Sequence, residues 1–258
     1  MLQGKYLEAQ RLAERIAADL GEPRFYREKS EEVAFSRGLF EENAMVRFGM
    51  CIVEERANIF GHGLSHVRKV AVDAGALVII EGKRRRLGKE MDRLLVLAQL
   101  AGVLHDIKRT EPDHARRGAE EAAVILKDFD IDERERLAVI QAIRNHEAFK
   151  PAEPLDEPSL QILSDVLYDA DKFRWGPDNF TETVWMMVAP LQVPLADLME
   201  SFAPSMRGIE RIKDTFRTAT GMEYGPDFIA MGLEIGERLY QELVKPPGGD
   251  EGHVQQHR

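Results

Sequence analysis

Apolar residues recur at three- and four-residue steps along most of this chain, and the strict alternation of a half-buried strand is scarce. Tyr6, Ala9, Leu12, Ile16 and Leu20 mark one face of an amphipathic helix that stops near Gly21-Glu22-Pro23. A second helix is predicted over about 39–58. A third runs from about His62 to Glu81, with Gly82 and the basic run Lys83-Arg84-Arg85-Arg86 ending it as a solvated connection. A fourth covers about 90–106. Glu111-Pro112-Asp113 places proline in the first turn of a fifth, reaching about Lys127. Asp132 is a suitable N-cap for a sixth, which extends to Glu147. A proline-rich connector at 150–158 precedes a helix over 159–173. Beyond it, Pro190, Pro194, Pro204 and Gly225-Pro226 separate three or four more helical segments, the last from Asp227 to Val244. The tail reads as disordered. The pattern predicts an all-α fold.

One stretch departs from ordinary amphipathic patterning. Leu94 to Leu104 is apolar except for Gln99 and Gly102, and it ends abruptly in His105-Asp106. Polar groups at the edge of a core need partners, and a divalent metal ion suits an imidazole beside a carboxylate. Adjacent helical residues point about 100° apart, so the doublet shares an ion only with other helices completing the shell, as in helical bundles. Five of the seven histidines, His62, His66, His105, His114 and His146, fall within one short window; His253 and His257 lie in the tail.

Composition narrows the classes. The 258 residues are 44% hydrophobic and 31% charged, which fits a soluble globular protein. A net charge of −10 argues against a nucleic-acid polymer as partner, though a local cluster of cations suffices for a small phosphorylated substrate. The single cysteine, Cys51, excludes an internal disulfide and reads as a buried small apolar residue. No apolar run reaches the length of a membrane span, and the charged N-terminus has no signal-peptide core. The expected location is the cytoplasm.

The order His66, His105-Asp106, Asp171 resembles the H…HD…D signature of the HD-domain superfamily of metal-dependent phosphohydrolases. His66-Val-Arg-Lys-Val is similar to the first-ligand pattern, and Leu104-His105-Asp106-Ile107 with Arg109 resembles the stretch around the doublet, although Lys108 stands where the family often has glycine. His114-Ala-Arg-Arg-Gly118-Ala119 is similar to the H-x-x-x-G-A segment. Asn145-His146-Glu147 resembles the motif that follows, and Asp169-Ala170-Asp171-Lys172 the D-A-D-K/R segment. The resemblance covers about 58–176. It implies an HD-like helical core there, flanked by helical extensions at 1–57 and 177–245, with the tail at 246–258.

The resemblance further implies one or two divalent transition-metal ions (Fe, Mn, Co, Ni or Zn). The first would be held by His66, His105, Asp106 and Asp171. The second would be held by Asp106, His114 and His146, with Asp106 as the bridge. Asp169 is the alternative to Asp171. Metal-activated water would then cleave a phosphate ester of a small metabolite or nucleotide. Asp106 is central to that chemistry, and Arg109 and Lys172, each near a ligand, are candidates to neutralise phosphate charge. Two other functions share these ligands: a di-iron oxygenase of the HD-domain type, and a catalytically silent metal- or nucleotide-binding regulatory module. The stretch after His146 lacks the Gly-Tyr-Pro element of cyclic-dinucleotide phosphodiesterases. The extensions carry no motif; they are expected to roof the pocket, set substrate choice or form a homodimer surface.

Overall fold

The structure is a computed structural model that describes residues 4–56 and 63–244. His62, the tail at 246–258 and its two histidines lie outside the described residues. Thirteen α-helices account for most of the rest, with no strand among the described residues. They are α1 (Lys5–Leu20), α2 (Arg24–Glu28), α3 (Ser30–Glu42), α4 (Ala44–Arg56), α5 (Gly63–Arg85), α6 (Glu90–Leu104), α7 (His114–Ile125), α8 (Glu133–Arg144), α9 (Gln161–Phe173), α10 (Val184–Val188), α11 (Leu195–Glu200), α12 (Phe202–Glu210) and α13 (Ala219–Val244). The all-α expectation holds.

The apolar run is α6, and every residue from Leu94 to Leu104 is buried. Its most extensive neighbour is α5, with α3, α4, α8 and α9 packed around the pair. Its two interruptions each have a physical reason. A Cβ on Gly102 would stand 2.6 Å from the Cα of Ala71 on α5, so the two backbones cross where only glycine fits. Gln99 donates to the Ser36 carbonyl at 2.7 Å, and the Ser36 hydroxyl donates to the Val72 carbonyl at 2.7 Å. A buried polar thread thus ties α3, α5 and α6 together.

Several boundaries differ from the pattern. The helix expected over 39–58 is two helices, divided at Asn43, whose side-chain oxygen accepts from the amides of Met45 and Val46. Cys51 is exposed rather than buried, because α4 turns Val46, Gly49, Met50 and Val53 inward instead. Helix α5 does not end at Gly82. That glycine accommodates the Met91 side chain, which would meet an added Cβ at 3.1 Å, and the chain reverses only at Arg86 and Gly88, both left-handed. The basic run is therefore mostly the last turn of α5, where Lys83 pairs with Glu32 and Arg84 with Glu223, each at 2.8 Å.

Helix α7 begins at His114, directly after the Glu111-Pro112-Asp113 start signal, where Asp113 takes a left-handed conformation. Asp132 caps α8 through a reciprocal capping box with Glu135, but the helix stops at Arg144 rather than Glu147. Pro204 sits in the first turn of α12, where no amide donor is needed. Gly225-Pro226 does not break the last helix: α13 runs straight through Pro226. An interior proline costs about 3 kcal/mol, and the burial of Tyr224, Phe228, Ile229 and Ile235 on the same helix offsets it. The glycine before it serves packing, since a Cβ there would collide with the Phe216 ring at 2.2 Å.

Helix α13 packs on α1 and α9, so the terminal segments wrap the α5–α6–α9 centre. The crossing at Gly102 supplies a direct check. Gly102→Ala is expected to destabilise the protein by about 1–3 kcal/mol through overpacking, read as a lower urea midpoint at unchanged slope. An unchanged midpoint would show that the crossing is looser than this geometry.

Candidate metal centre

The ends of five helices converge at one point. His66 comes from the first turns of α5, and Asp171 from the last turn of α9. His105 and Asp106 follow α6 directly, in a run of tight turns in which Ile107 donates to the Leu104 carbonyl and Arg109 to the Asp106 carbonyl. His114 opens α7, and His146 lies just past α8. Gly118, one turn into α7, lets that helix close on the doublet: a Cβ there would approach the His105 carbonyl oxygen at 3.1 Å.

Two clusters share Asp106. In the first, His66 Nε2 stands 3.1 Å from His105 Nε2, 3.4 Å from Asp171 Oδ1 and 3.6 Å from Asp106 Oδ2. His105 Nε2 is 3.5 Å from Asp106 Oδ2 and 3.7 Å from Asp171 Oδ1. In the second, the other Asp106 oxygen, Oδ1, is 3.6 Å from His146 Nε2 and 3.9 Å from His114 Nε2. Apart from the 3.1 Å contact between the two imidazoles of the first cluster, these separations are longer than an ordinary hydrogen bond and suit donors surrounding a common centre. Two sets, His66-His105-Asp171 and His105-Asp106-His146, have ligand atoms close enough to hold an ion.

The rings are oriented from behind. His105 Nδ1 donates to the Gly102 carbonyl at 2.7 Å, and His146 Nδ1 to the Ile143 carbonyl at 2.6 Å. Each bond fixes the tautomer that turns the Nε2 lone pair inward. Burial pushes the His105 imidazole down to about 4 despite the nearby Asp106, and burial likewise lowers His114. For Asp106 burial favours the protonated form, but His105 and Arg109 outweigh it and hold the carboxylate below its usual range. Asp171 is likewise held low against burial, first by Lys172 and then by the imidazoles.

The fit to a metal rests on what is left unpaired. Asp106 Oδ1 and His146 Nε2 are buried and have no hydrogen-bond partner among the described residues. Leaving one such group unsatisfied costs about 1–3 kcal/mol. Two of them face each other across the second cluster, and a cation between them would satisfy both.

A family model described as HD domain matches residues 63–176, from the start of α5 to just past α9. This segment belongs to the HD-domain superfamily. HD domains are typically metal-dependent phosphohydrolases that bind divalent ions. Neither curated proteins nor solved structures gave a significant match to the chain.

The other nominated residues divide. Within the HD domain, Asp169 lies outside both clusters: it accepts from the backbone amides of Arg217 and Thr218 and from the Thr218 hydroxyl, at 2.7–2.8 Å. It anchors the segment leading into α13, and burial raises its carboxyl to about 7. Lys172 is buried, with its ammonium 2.5 Å from Asp171 Oδ2 and near the Tyr168 ring. Arg109 is about half exposed, 3.2 Å from His114 Nε2 and 3.8 Å from Asp106 Oδ2, at the open rim of the second cluster.

Two features escaped the sequence. Asn145 pins the loop that carries His146, exchanging hydrogen bonds with the backbone of Glu153 and donating to Ser164 Oγ. The motif placed Asn145 beside the histidine without giving it a task. One helical turn from the first cluster, Arg174 donates to Asp73 at 2.6 Å, to the Tyr26 hydroxyl and to Asp178, while Lys69 donates to Asp178 and Glu182. Tyr26, Asp178 and Glu182 lie outside the HD domain, and these partners are too far apart in sequence for any local pattern to join them.

The two aspartates give a paired expectation. Asp171→Asn should lower bound metal, measured by elemental analysis, with the fold retained. Asp169→Asn should leave metal content unchanged and destabilise the protein by about 1–3 kcal/mol through the weakened anchor, seen as a lower melting temperature. The reverse pattern would exchange their roles.

Proposed function

We propose that this protein is a metal-dependent phosphohydrolase that cleaves a phosphate ester of a small metabolite or nucleotide. The observation that carries the reading is Asp106, whose two oxygens face separate histidine clusters, one of them with buried ligand atoms that no described residue satisfies. His66, His105, Asp106 and Asp171 would hold one divalent ion, and Asp106, His114 and His146 a second. The donor set of imidazole and carboxylate suits Fe, Mn, Co, Ni or Zn. Such a pair supplies an activated water and stabilises charge on the attacking and leaving oxygens.

The remaining steps fall to the protein's own side chains. Arg109 is the cation best placed to meet a phosphate, since its guanidinium is half exposed beside His114 and Asp106 and its nearest carboxylate is 3.8 Å away. Lys172 is committed to Asp171 from behind, so its charge keeps that carboxylate ionised rather than contacting substrate. The backbone-bonded Nδ1 atoms of His105 and His146 keep their rings from turning.

The test is elemental analysis of protein purified without added metal, followed by turnover of phosphate mono- and diester panels. Two ions per chain and phosphate release are expected. Asp106→Ala should abolish release, His146→Ala should reduce the metal content towards one, and Arg109→Gln should lower kcat/KM by about a hundredfold. Iron in the protein with substrate-dependent O₂ uptake and no phosphate release would point instead to oxygenase chemistry on the same ligands.

A further inference from the structure

A cavity of about 290 Å³ opens beside the Arg174 network, where the N-terminal helices, the HD domain and α13 meet. That volume suits a molecule of one or two rings. Its apolar wall includes Pro23, Phe40, Val72 and Phe228, with the Tyr26 ring among them. None of the six clustered histidines and aspartates lines it.

The charges around it sort into two groups. Lys69, Asp73, Arg174 and Asp178 lie on the wall nearest the network and are spent on one another and on Tyr26 and Glu182. Arg37 on α3 and Arg68 on α5 also line the cavity, and among the described residues neither has a carboxylate within ion-pair distance. Phe40 lies one turn from Arg37, and the Arg68 guanidinium stands 5.3 Å over its ring. A guanidinium over an aromatic ring, with a second arginine lining the same cavity, suits a planar anion, because each presents a fork of donors matched to a carboxylate and stacks well on flat groups. Glu22 and Glu41 also line the cavity, exposed and with no ion pair among the described residues, and they oppose a second negative charge on the ligand.

We infer that this cavity binds a small monoanionic molecule with a flat apolar body, its carboxylate on Arg37 and Arg68 and its ring against Phe40 and Val72. The site is separate from the metal chemistry, so it stands whether or not the protein is a phosphohydrolase.

Three probes with one ring system and different heads decide it: indole-3-acetate (anionic), indole-3-ethanol (neutral) and tryptamine (cationic), titrated calorimetrically into the full-length protein. Saturable one-to-one binding of indole-3-acetate is expected, with the neutral analogue about tenfold weaker, as for loss of one charge-assisted contact, and tryptamine weaker still. Arg37→Gln with Arg68→Gln should remove the preference for the anion while leaving the thermal melt unchanged. Asp106→Asn should leave indole-3-acetate binding intact, which separates this site from the metal centre. Absence of saturable binding, equal or tighter binding of tryptamine, or a loss of binding in Asp106→Asn would each overturn the inference.

Discussion

A carboxylate buried among four imidazoles is the constraint on which the rest of this structure depends. Asp106 lies within 4 Å of His66, His105, His114 and His146, and such a group needs compensating charge or coordination. The helices are arranged to deliver it. The doublet follows α6 and His146 follows α8, where the chain leaves its helical track, while α7 begins at His114. Helix ends suit this task because ring orientation there can be set by a local carbonyl: Gly102 for His105 and Ile143 for His146. Gly102 shows how closely packing and chemistry are joined, since it also allows α5 and α6 to cross at backbone contact and so brings His66 to the doublet.

The Arg174 network imposes a second constraint. A buried ion cluster is weak evidence for stability, because desolvation offsets much of the attraction, while removing one partner leaves a charge exposed to a low dielectric. Its value here is geometric. Arg174 follows Asp171 by three residues on one side of the seam, and Lys69 and Asp73 follow His66 on the other. Tyr26 and Asp178 then fasten the N-terminal helices and the segment after α9 to that seam. The extensions thereby bear on the spacing of two nominated ligands without touching them.

Legibility in the sequence followed the range of the interactions. Helices α1 and α9 could be read closely because their apolar spacing and end signals are local, and Asp132 was readable as a cap for the same reason. The family resemblance also put His66, the doublet, His114, His146 and Asp171 in one ordered set, and the fold brings these six together. It failed where a local signal had a distant cause. Gly82 and Gly225 looked like helix stops, yet each is small to admit a side chain from elsewhere, Met91 in one case and Phe216 in the other. Pro226 misled for a related reason: long-range burial of α13 outweighs a local break. Asp169 and Asp171 could not be separated by spacing, because what distinguishes them is the backbone of Arg217 and Thr218, nearly fifty residues away.

These two kinds of contact suggest how the chemistry and its selectivity are divided. The six clustered side chains lie in the HD domain, and substitution there would disturb the groups that orient them as well as the ligands themselves. Three exposed cations lie at the edges: Arg109 at the rim of the second cluster, and Arg37 and Arg68 beside the cavity. Exposed guanidinium groups can change without breaking a buried pair, so recognition can vary there while the ligand geometry stays fixed. Lys172 marks the boundary between the two regimes. It reads as a substrate contact from its place next to a ligand, yet its burial against Asp171 and Tyr168 makes it part of the fixed frame. Adjacency in sequence therefore does not decide which cation is free to meet a substrate; the burial of the cation itself does, since Asp106 and Asp171 are equally covered while Arg109 is exposed and Lys172 is not.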